Sequence, residues 1–396
     1  MKGDPDTHLL VVDDNSANRD MLTRRLQRLG HARIDTAEDG VTALEAIGRA
    51  VLEGRAYDAV LLDVMMPRMN GVQVLEAMAA RSLLEASPVI MISAATEMET
   101  VVRCIELGAE DYLPKPFNAV LLQARLGAVL EKKRLRDALR RQLQRLEAEL
   151  SEARLQQLSM VPDSFPASDP ASPVEVHAVM HPAREVGGDL YDCFEAAPGV
   201  LCVGIGDVSD KGMSAALFMA RTRSLLRAAA LQHAETAGAA PAPSRLLRVL
   251  NEELCKNNPA GMFVSLFVGF LEAESGRFAF ANAGHPRPFL LAPGHPVREI
   301  ATPPEPPLGL VSGVVHRDHA LLLARGEALV AITDGLADMR DPEGRTYSAR
   351  RVAEDLGGMS AASPLAITAA LAENARHFAA GTPAADDVTV LALRRL

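Results

Sequence analysis

No uninterrupted apolar run in this 396-residue chain reaches the ~18 residues that a membrane-spanning helix needs, so no membrane partner is expected. The first residues lead almost directly through a charged segment into an apolar strand. That is not the pattern of a signal peptide, and a cytoplasmic protein is expected. Cysteine is sparse. Cys104, Cys193, Cys202 and Cys255 show neither metal-ligand spacing nor the framework of a small disulfide-stapled domain, and they read as buried free thiols. Positive charge is in deficit. A formal net charge of −10 argues against a general nucleic-acid binder. There is also no helix-turn-helix pattern and no glycine box of an ATPase.

Proline is missing from Asn118 to Leu158, and glycine is nearly so. Strong helix formers fill the stretch, which predicts one long helix. Leu139, Leu143, Leu146, Leu150 and Ala153 recur at steps of four and three, the seam of a coiled coil. Nearer the N-terminus the same frame meets Lys132 and Arg136, and the seam weakens. The basic cluster Lys132, Lys133, Arg134, Arg136, Arg140 and Arg141 reads as a solvated face, with Asp137 one turn before Arg141 as its expected partner. A length of 396 residues predicts two or three domains, so this helix reads as a linker over 118–160.

Before the helix, short apolar strands alternate with helical segments. HLLVV, YDAVLL and PVIMI are bounded like buried parallel strands, and helices are expected at Ser16–Leu29, Thr42–Glu53, Val72–Ala80 and Thr96–Leu107. The alternation predicts a doubly wound, five-stranded parallel sheet. In such a sheet the site lies beyond the carboxyl ends of the strands. Asp13, Asp14, Asp63, Ser93 and Lys115 all fall there. Three crowded carboxylates need a hard divalent cation, and oxygen ligands suit Mg²⁺. A carboxylate beside it can attack phosphorus, with Ser93 and Lys115 placed for the phosphoryl oxygens.

The ordered set VVDDN, LLDVMMPRMNG, MISA and DYLPKPF resembles the receiver domain of two-component response regulators, here over 1–126. The resemblance implies Asp63 as phospho-acceptor for a histidine kinase. It implies Asp13, Asp14, Asp63 and the Met65 carbonyl as Mg²⁺ ligands, Ser93 and Tyr112 as switch residues, and Lys115 as the phosphate-binding lysine.

Beyond the helix, VPDSFPASDPASP cannot continue it and reads as an extended connector. The remaining residues, 174–396, have the size of one further domain. Strands are expected at Val174–Met180, Val200–Ile205, Met262–Leu271, Phe278–Asn282, Glu327–Thr333 and Val388–Leu393. Helices are expected at Ser214–Leu231, Ser244–Lys256 (with Ser244 as cap) and Pro364–Phe378. Asp189, Asp207, Asp334 and Asp386 each stand at a strand edge, three of them with glycine close by. Gathered by a sheet, four such carboxylates make a site for two hard cations, Mg²⁺ or Mn²⁺.

The set REVGGDLYD, GDVSDKGMSAALFMA, GMFVSLF, NAGHPRPFLL, ITDGLAD and DDVTVL resembles the SpoIIE-like branch of the metal-dependent protein phosphatase 2C superfamily (PPM type). The resemblance implies an α/β/β/α sandwich and a serine/threonine phosphatase. Asp189, Asp207 and the Val208 carbonyl would be metal ligands, with Asp207 bridging, and Asp334 and Asp386 would hold the second ion. Asp387 is the weaker candidate of its doublet. His285 could act as a general acid, but its Asn-Ala-Gly-His turn is better explained by a structural job. Asp338 stands where the family often has Glu.

The whole chain thus reads as an α/β protein: a doubly wound receiver, a long coiled-coil linker helix and a sandwich phosphatase. Relatives of the output domain imply a phosphorylated STAS-type anti-anti-sigma factor as substrate, and the seam implies a homodimer. The competing reading is a non-catalytic adaptor that binds a partner through the same fold. The presence of all four aspartates argues against it.

Overall fold

The computed structural model describes residues 4–94, 98–162, 165, 172–237 and 239–396. They divide into two compact units, Met1–Leu146 and Glu147–Leu396. Among the described residues no helix is long and apolar enough to cross a membrane.

The N-terminal unit alternates strand and helix. Its elements are β1 (His8–Val12), α1 (Ser16–Leu29), β2 (Arg33–Ala37), α2 (Gly40–Leu52), β3 (Ala59–Asp63), α3 (Gly71–Ala80), β4 (Val89–Ala94), α4 (Met98–Glu106) and β5 (Asp111–Lys115). The five strands are parallel in the order β2-β1-β3-β4-β5. Every residue of β3 is buried, because apolar side chains pack on both faces of the sheet. The register places the site. Val12 pairs with Leu62, so Asp13 and Asp63 leave neighbouring strands side by side. Asp63 pairs with Ile92, Ser93 with Pro114 and Ala94 with Lys115, which brings Ser93 and Lys115 to the same edge. The expected start of α4 at Thr96 lies outside the described residues.

The long helix is present as α5, Ala119–Met160, 42 residues. Leu122, Leu126 and Val129 are buried with Leu9, Leu22 and Leu113 in the N-terminal core. The charged positions that weaken the seam therefore belong to a stretch of helix already packed in its own unit, on the side that meets Glu110. Lys132 and Arg136 reach Glu110 at 2.5 and 3.4 Å. Asp137 pairs with Lys133 at 2.8 Å, which corrects the expected pairing with Arg141. Lys133 is itself buried and 3.9 Å from Asp58, so it is held where Asp137 can meet it. Much of the basic face is thus engaged in ion pairs within the unit.

In the C-terminal unit the elements are β6 (Val174–His181), β7 (Leu190–Ala197), β8 (Val200–Val208), α6 (Met213–Ala237), α7 (Pro243–Cys255), β9 (Val264–Glu272), β10 (Arg277–Ala283), β11 (Phe289–Leu291), β12 (Arg298–Glu299), β13 (His319–Leu322), β14 (Ala328–Ile332), α8 (Asp334–Ala337), α9 (Ser348–Leu356), α10 (Pro364–Ala379) and β15 (Val388–Arg395). Two antiparallel sheets form, β13-β10-β9-β8-β7 and β12-β11-β14-β15-β6. Phe267, Phe278 and Val203 of the first meet Leu329, Leu391 and Leu393 of the second in the central core. Each fully buried large side chain there contributes roughly 1.5–3 kcal/mol. α6 and α7 cover the outer face of the first sheet, and α9 and α10 that of the second. This is the expected α/β/β/α sandwich.

Two local expectations change. Ser244 is not the cap of α7: Ala242 takes that position, Pro243 starts the helix, and Ser244 instead bonds Asp318 through its N–H and hydroxyl. β7 has no clear apolar alternation because it carries the fully buried Asp192. Arg227 at 2.6 Å and Arg223 at 3.2 Å neutralise that carboxylate. Most of the connector lies outside the described residues, but Val161 and Phe165 are buried in the inter-sheet core. The four cysteines are free, three buried and Cys255 half-buried.

Candidate active sites

At the strand ends of the N-terminal unit, Asp13, Asp14 and Asp63 bring carboxylate oxygens within 4.8 Å of one another. Asp13 and Asp63 are buried and Asp14 is exposed. Lys115 Nζ sits 3.1 Å from Asp13 and 2.9 Å from Asp63. Asn18 Nδ2 donates to both Asp13 oxygens at 3.1 Å, and the Asn15 N–H donates to one of them at 2.9 Å. Burial pushes the Asp63 carboxyl up to about 6; Lys115 opposes the rise and the Asp13 charge adds to it. Ser93 is buried beside this edge, while Met65 is exposed on the following loop. Tyr112 is half-buried, with the Arg125 guanidinium 5.5 Å from its ring centre. Asp13, Asp14, Asp63 and Lys115 therefore come together, and Ser93 lies on the same edge of the sheet. The asparagines that brace Asp13 were not singled out from the sequence, although Asn15 and Asn18 sit within the same DDNSAN run.

The C-terminal unit draws its aspartates from both sheets. Asp189 precedes β7, Asp207 lies in β8, Asp334 begins α8 after β14, and Asp386 precedes β15. Asp189 is 1% exposed. Its Oδ2 accepts from Thr333 at 2.9 Å and Thr389 at 2.6 Å, while its buried Oδ1 has no partner. Burial, and then the Asp207 charge, drives the Asp189 carboxyl well above its usual range. Burial also pushes Asp207 up to about 7, helped by Asp334 and Asp386. Asp334 rises too, through burial and then Asp386. Lys211 is 2.9 Å from Asp386. An orphaned buried oxygen facing mutually repelling carboxylates is a donor set suited to hard cations.

Asp387 has a different role from its neighbour. Its carboxylate accepts from the Ala183 N–H at 2.7 Å and the Gly188 N–H at 2.6 Å, so it braces the loop before Asp189. Glycine is required around it. A Cβ at Gly187 would stand 2.3 Å from that carboxylate, and one at Gly335 would stand 2.0 Å from the Asp387 carbonyl.

His285 is buried, and its Nδ1 lies 2.8 Å from the Ser265 hydroxyl. Asn282 accepts from the His285 N–H at 2.8 Å and donates to its carbonyl at 2.9 Å. Burial pushes the imidazole down to about 3, so it stays neutral. These bonds support the structural role for the turn. A cleft of about 640 Å³ opens here, lined by Asp207, Asp334, His285 and Arg287 among others. The threonine clamp on Asp189 was missed in the sequence. Thr333 and Thr389 sit inside ITDG and DDVTV, yet only the sheet brings them to Asp189.

The model of Stage II sporulation protein E (SpoIIE) matches residues 197–396, half of the chain. The chain belongs to the SpoIIE family. A second model, the response regulator receiver domain, matches residues 9–127. Asp207, Asp334 and Asp386 lie within the SpoIIE match and Asp189 just before it. Protein IcfG of Synechocystis is 28% identical over 62% of this chain and 41% of its own length. Response regulator MprA of Mycobacterium ulcerans is 40% identical over 33% of this chain and 52% of its own. The chain thus spans about half or less of the length of these curated relatives. The SiaA-PP2C domain of Pseudomonas aeruginosa shares the fold of the SpoIIE part, with a TM-score of 0.54 at 22% identity, covering 64% of this chain and 98% of that one. This SpoIIE-family chain therefore joins a segment that matches the receiver-domain model to a SpoIIE segment with the fold of the SiaA-PP2C domain.

Proposed function

We propose that the chain is a response regulator whose receiver controls a metal-dependent protein serine/threonine phosphatase. The observation that carries this reading is Asp189, whose buried Oδ1 lacks a partner while Asp207, Asp334 and Asp386 crowd the same region. Asp189, Asp207, the Val208 carbonyl, Asp334 and Asp386 would hold two Mg²⁺ or Mn²⁺ ions. Such a pair, when bound, lowers the pKa of water and neutralises phosphoryl oxygens. The chain's own residues do the rest. Thr333 and Thr389 fix one oxygen of Asp189 and leave the other without a partner. Asp387 holds the loop behind it. The cleft beside Asp207 and Asp334 admits a phosphorylated side chain. Water gives up a proton and adds to phosphorus as the P–O bond to the serine or threonine oxygen breaks, and that oxygen leaves as a hydroxyl with a proton from solvent, with no protein nucleophile.

In the receiver, Asp63 accepts a phosphoryl group from a histidine kinase. Asp13, Asp14, Asp63 and the Met65 carbonyl hold Mg²⁺, Lys115 and Ser93 meet the phosphoryl oxygens, and Ser93 with Tyr112 reads the change. The functional stretches are a receiver over 1–126, a linker over 118–160 and a phosphatase reaching residue 396. The substrate class is a phosphorylated STAS-type anti-anti-sigma factor in the cytoplasm, and the chain works as a homodimer through α5.

The deciding experiment treats the full chain with beryllofluoride and Mg²⁺ and follows Mn²⁺-dependent hydrolysis of a phosphoserine protein. Hydrolysis should change on treatment, and the change should vanish in Asp63→Ala. An identical rate with and without the phosphoryl mimic would sink the coupling. No hydrolysis under any condition would favour the adaptor instead.

A further inference from the structure

Gln157 lies in the last turn of α5 and is only 4% exposed. Its neighbours Gln156 and Leu155 are exposed, so this one polar side chain is turned into the C-terminal unit. Its amide forms a two-point clasp on a single residue. Nε2 donates to the Gly187 carbonyl, and Oε1 accepts from the Gly187 N–H at 3.0 Å. Gly187 has no side chain of its own to fix it, and Asp387 leaves no room for one. The next N–H, that of Gly188, goes to Asp387, and the residue after it is Asp189. The loop is therefore held between one carboxylate and one glutamine. Removing the glutamine would leave a buried N–H and a buried carbonyl unpaired, two residues from Asp189. An unpaired buried polar group is costly enough to move a glycine pair.

We propose that Gln157 is a positioning residue for the phosphatase site, setting the Gly187–Asp189 loop and with it the affinity for the catalytic cation. The inference rests on the metal-phosphatase reading above. It moves the working boundary of the catalytic unit from about residue 174 back into the helix. Two independent observations agree: the compact C-terminal unit begins at Glu147, and Val161 and Phe165 belong to its core. The clasp also puts the end of the helix that begins in the receiver core one residue pair away from a metal ligand.

The test uses the full chain with Asp13→Asn, so that the receiver's metal site does not contribute, and reads Mn²⁺ binding by electron paramagnetic resonance. Gln157→Met keeps the length and packing of the side chain but not the two hydrogen bonds. It should weaken Mn²⁺ binding by roughly 10–100-fold, as loss of a group behind a ligand does. Saturating Mn²⁺ should restore most of the hydrolysis, with KM for substrate unchanged. Amide exchange at Gly187 should quicken in the metal-free chain. Gln157→Ala should give the same loss of metal affinity with a lower Tm. Wild-type Mn²⁺ affinity and unchanged Gly187 exchange in Gln157→Met would overturn the inference alone. A parent chain that binds no Mn²⁺ would overturn the metal-phosphatase reading and this inference together.

Discussion

The two acidic sites of the chain solve the same electrostatic problem in opposite ways. In the receiver, three carboxylates crowd within 4.8 Å and a lysine of the protein already lies between two of them. In the phosphatase domain no comparably tight trio forms among the described residues, and the nearby lysine sits on Asp386 rather than on Asp189 or Asp207. The receiver thus carries part of its own countercharge. The C-terminal site leaves a buried oxygen without a partner, and on the proposed reading it takes its countercharge from cations. The chemistry follows from this. On the proposed reading, one site keeps a carboxylate poised to take a phosphoryl group, and the other keeps its carboxylates as ligands so that water reacts.

The sharpest way to break the comparison is to remove the carboxylate that the proposal has both cations share. Asp207→Asn in the full chain should reduce Mn²⁺-dependent phosphoserine hydrolysis by at least ~10²-fold, beyond the range of losses behind the ligands. Acetyl phosphate labelling of Asp63 should be unaffected. Hydrolysis at the wild-type rate would mean that Asp207 is not a ligand. Next in size is the clamp. Thr333→Val takes away one of the two hydroxyls on Asp189 Oδ2. It should cost roughly 10–100-fold in apparent Mn²⁺ affinity while substrate KM holds. A change in KM without a change in metal dependence would place Thr333 at the substrate instead.

The legibility of the two sites differs for a physical reason. A parallel βαβ sheet delivers its site in sequence order, one strand end after another, so HLLVVDD, LLD, MIS and LPK already name the edge. The register Val12–Leu62 and Ser93–Pro114 then only confirms it. In the sandwich, Asp189 meets Thr333 and Thr389 across 144 and 200 residues, pairings that no local pattern reveals. β7 was hidden for a related reason: the Asp192 that interrupts its apolar pattern is buried against two arginines from α6. In the sequence, nothing distinguishes Gln157 from Gln156 beside it. Only the placement of Gly187 shows which of the two glutamines faces inward.

A smaller effect separates the sites by pH. Both Asp63, pushed to about 6, and Asp207, pushed to about 7, have folded values above those of an unfolded chain near 4. Between those values the folded chain binds protons that the unfolded chain has released, so stability of the metal-free protein falls as pH rises from about 4 to 7. Scanning calorimetry in chelator should show Tm declining by a few degrees across that window. Mn²⁺ should flatten the decline, since the cations take over from the protons. Asp207→Asn should lessen the fall across the whole window and Asp63→Asn only its part below about 6. A Tm that rises through the window in chelator would contradict both assignments.

The smallest effect on chemistry should come from the seam. Leu139, Leu143 and Leu146 are 58, 51 and 47% exposed, and Leu135 one turn earlier is 62% exposed. Leu139, Leu143 and Leu146 follow the a/d spacing that the sequence carries, with Leu135 one position beside it, on a helix otherwise rich in charge. Four uncovered leucines on one stripe gain little from water, and a second copy offers the same stripe in register. Because they are exposed within one chain, changing them leaves both cores intact. Leu139→Asp with Leu143→Asp should therefore convert a dimer to a monomer in sedimentation, with Tm nearly unchanged and Mn²⁺ binding retained. If the beryllofluoride response is lost with the dimer while metal binding stays, the stripe serves the passage of the signal and the Gln157 clasp serves the site. A dimer that survives both changes would show that the leucines are not its interface.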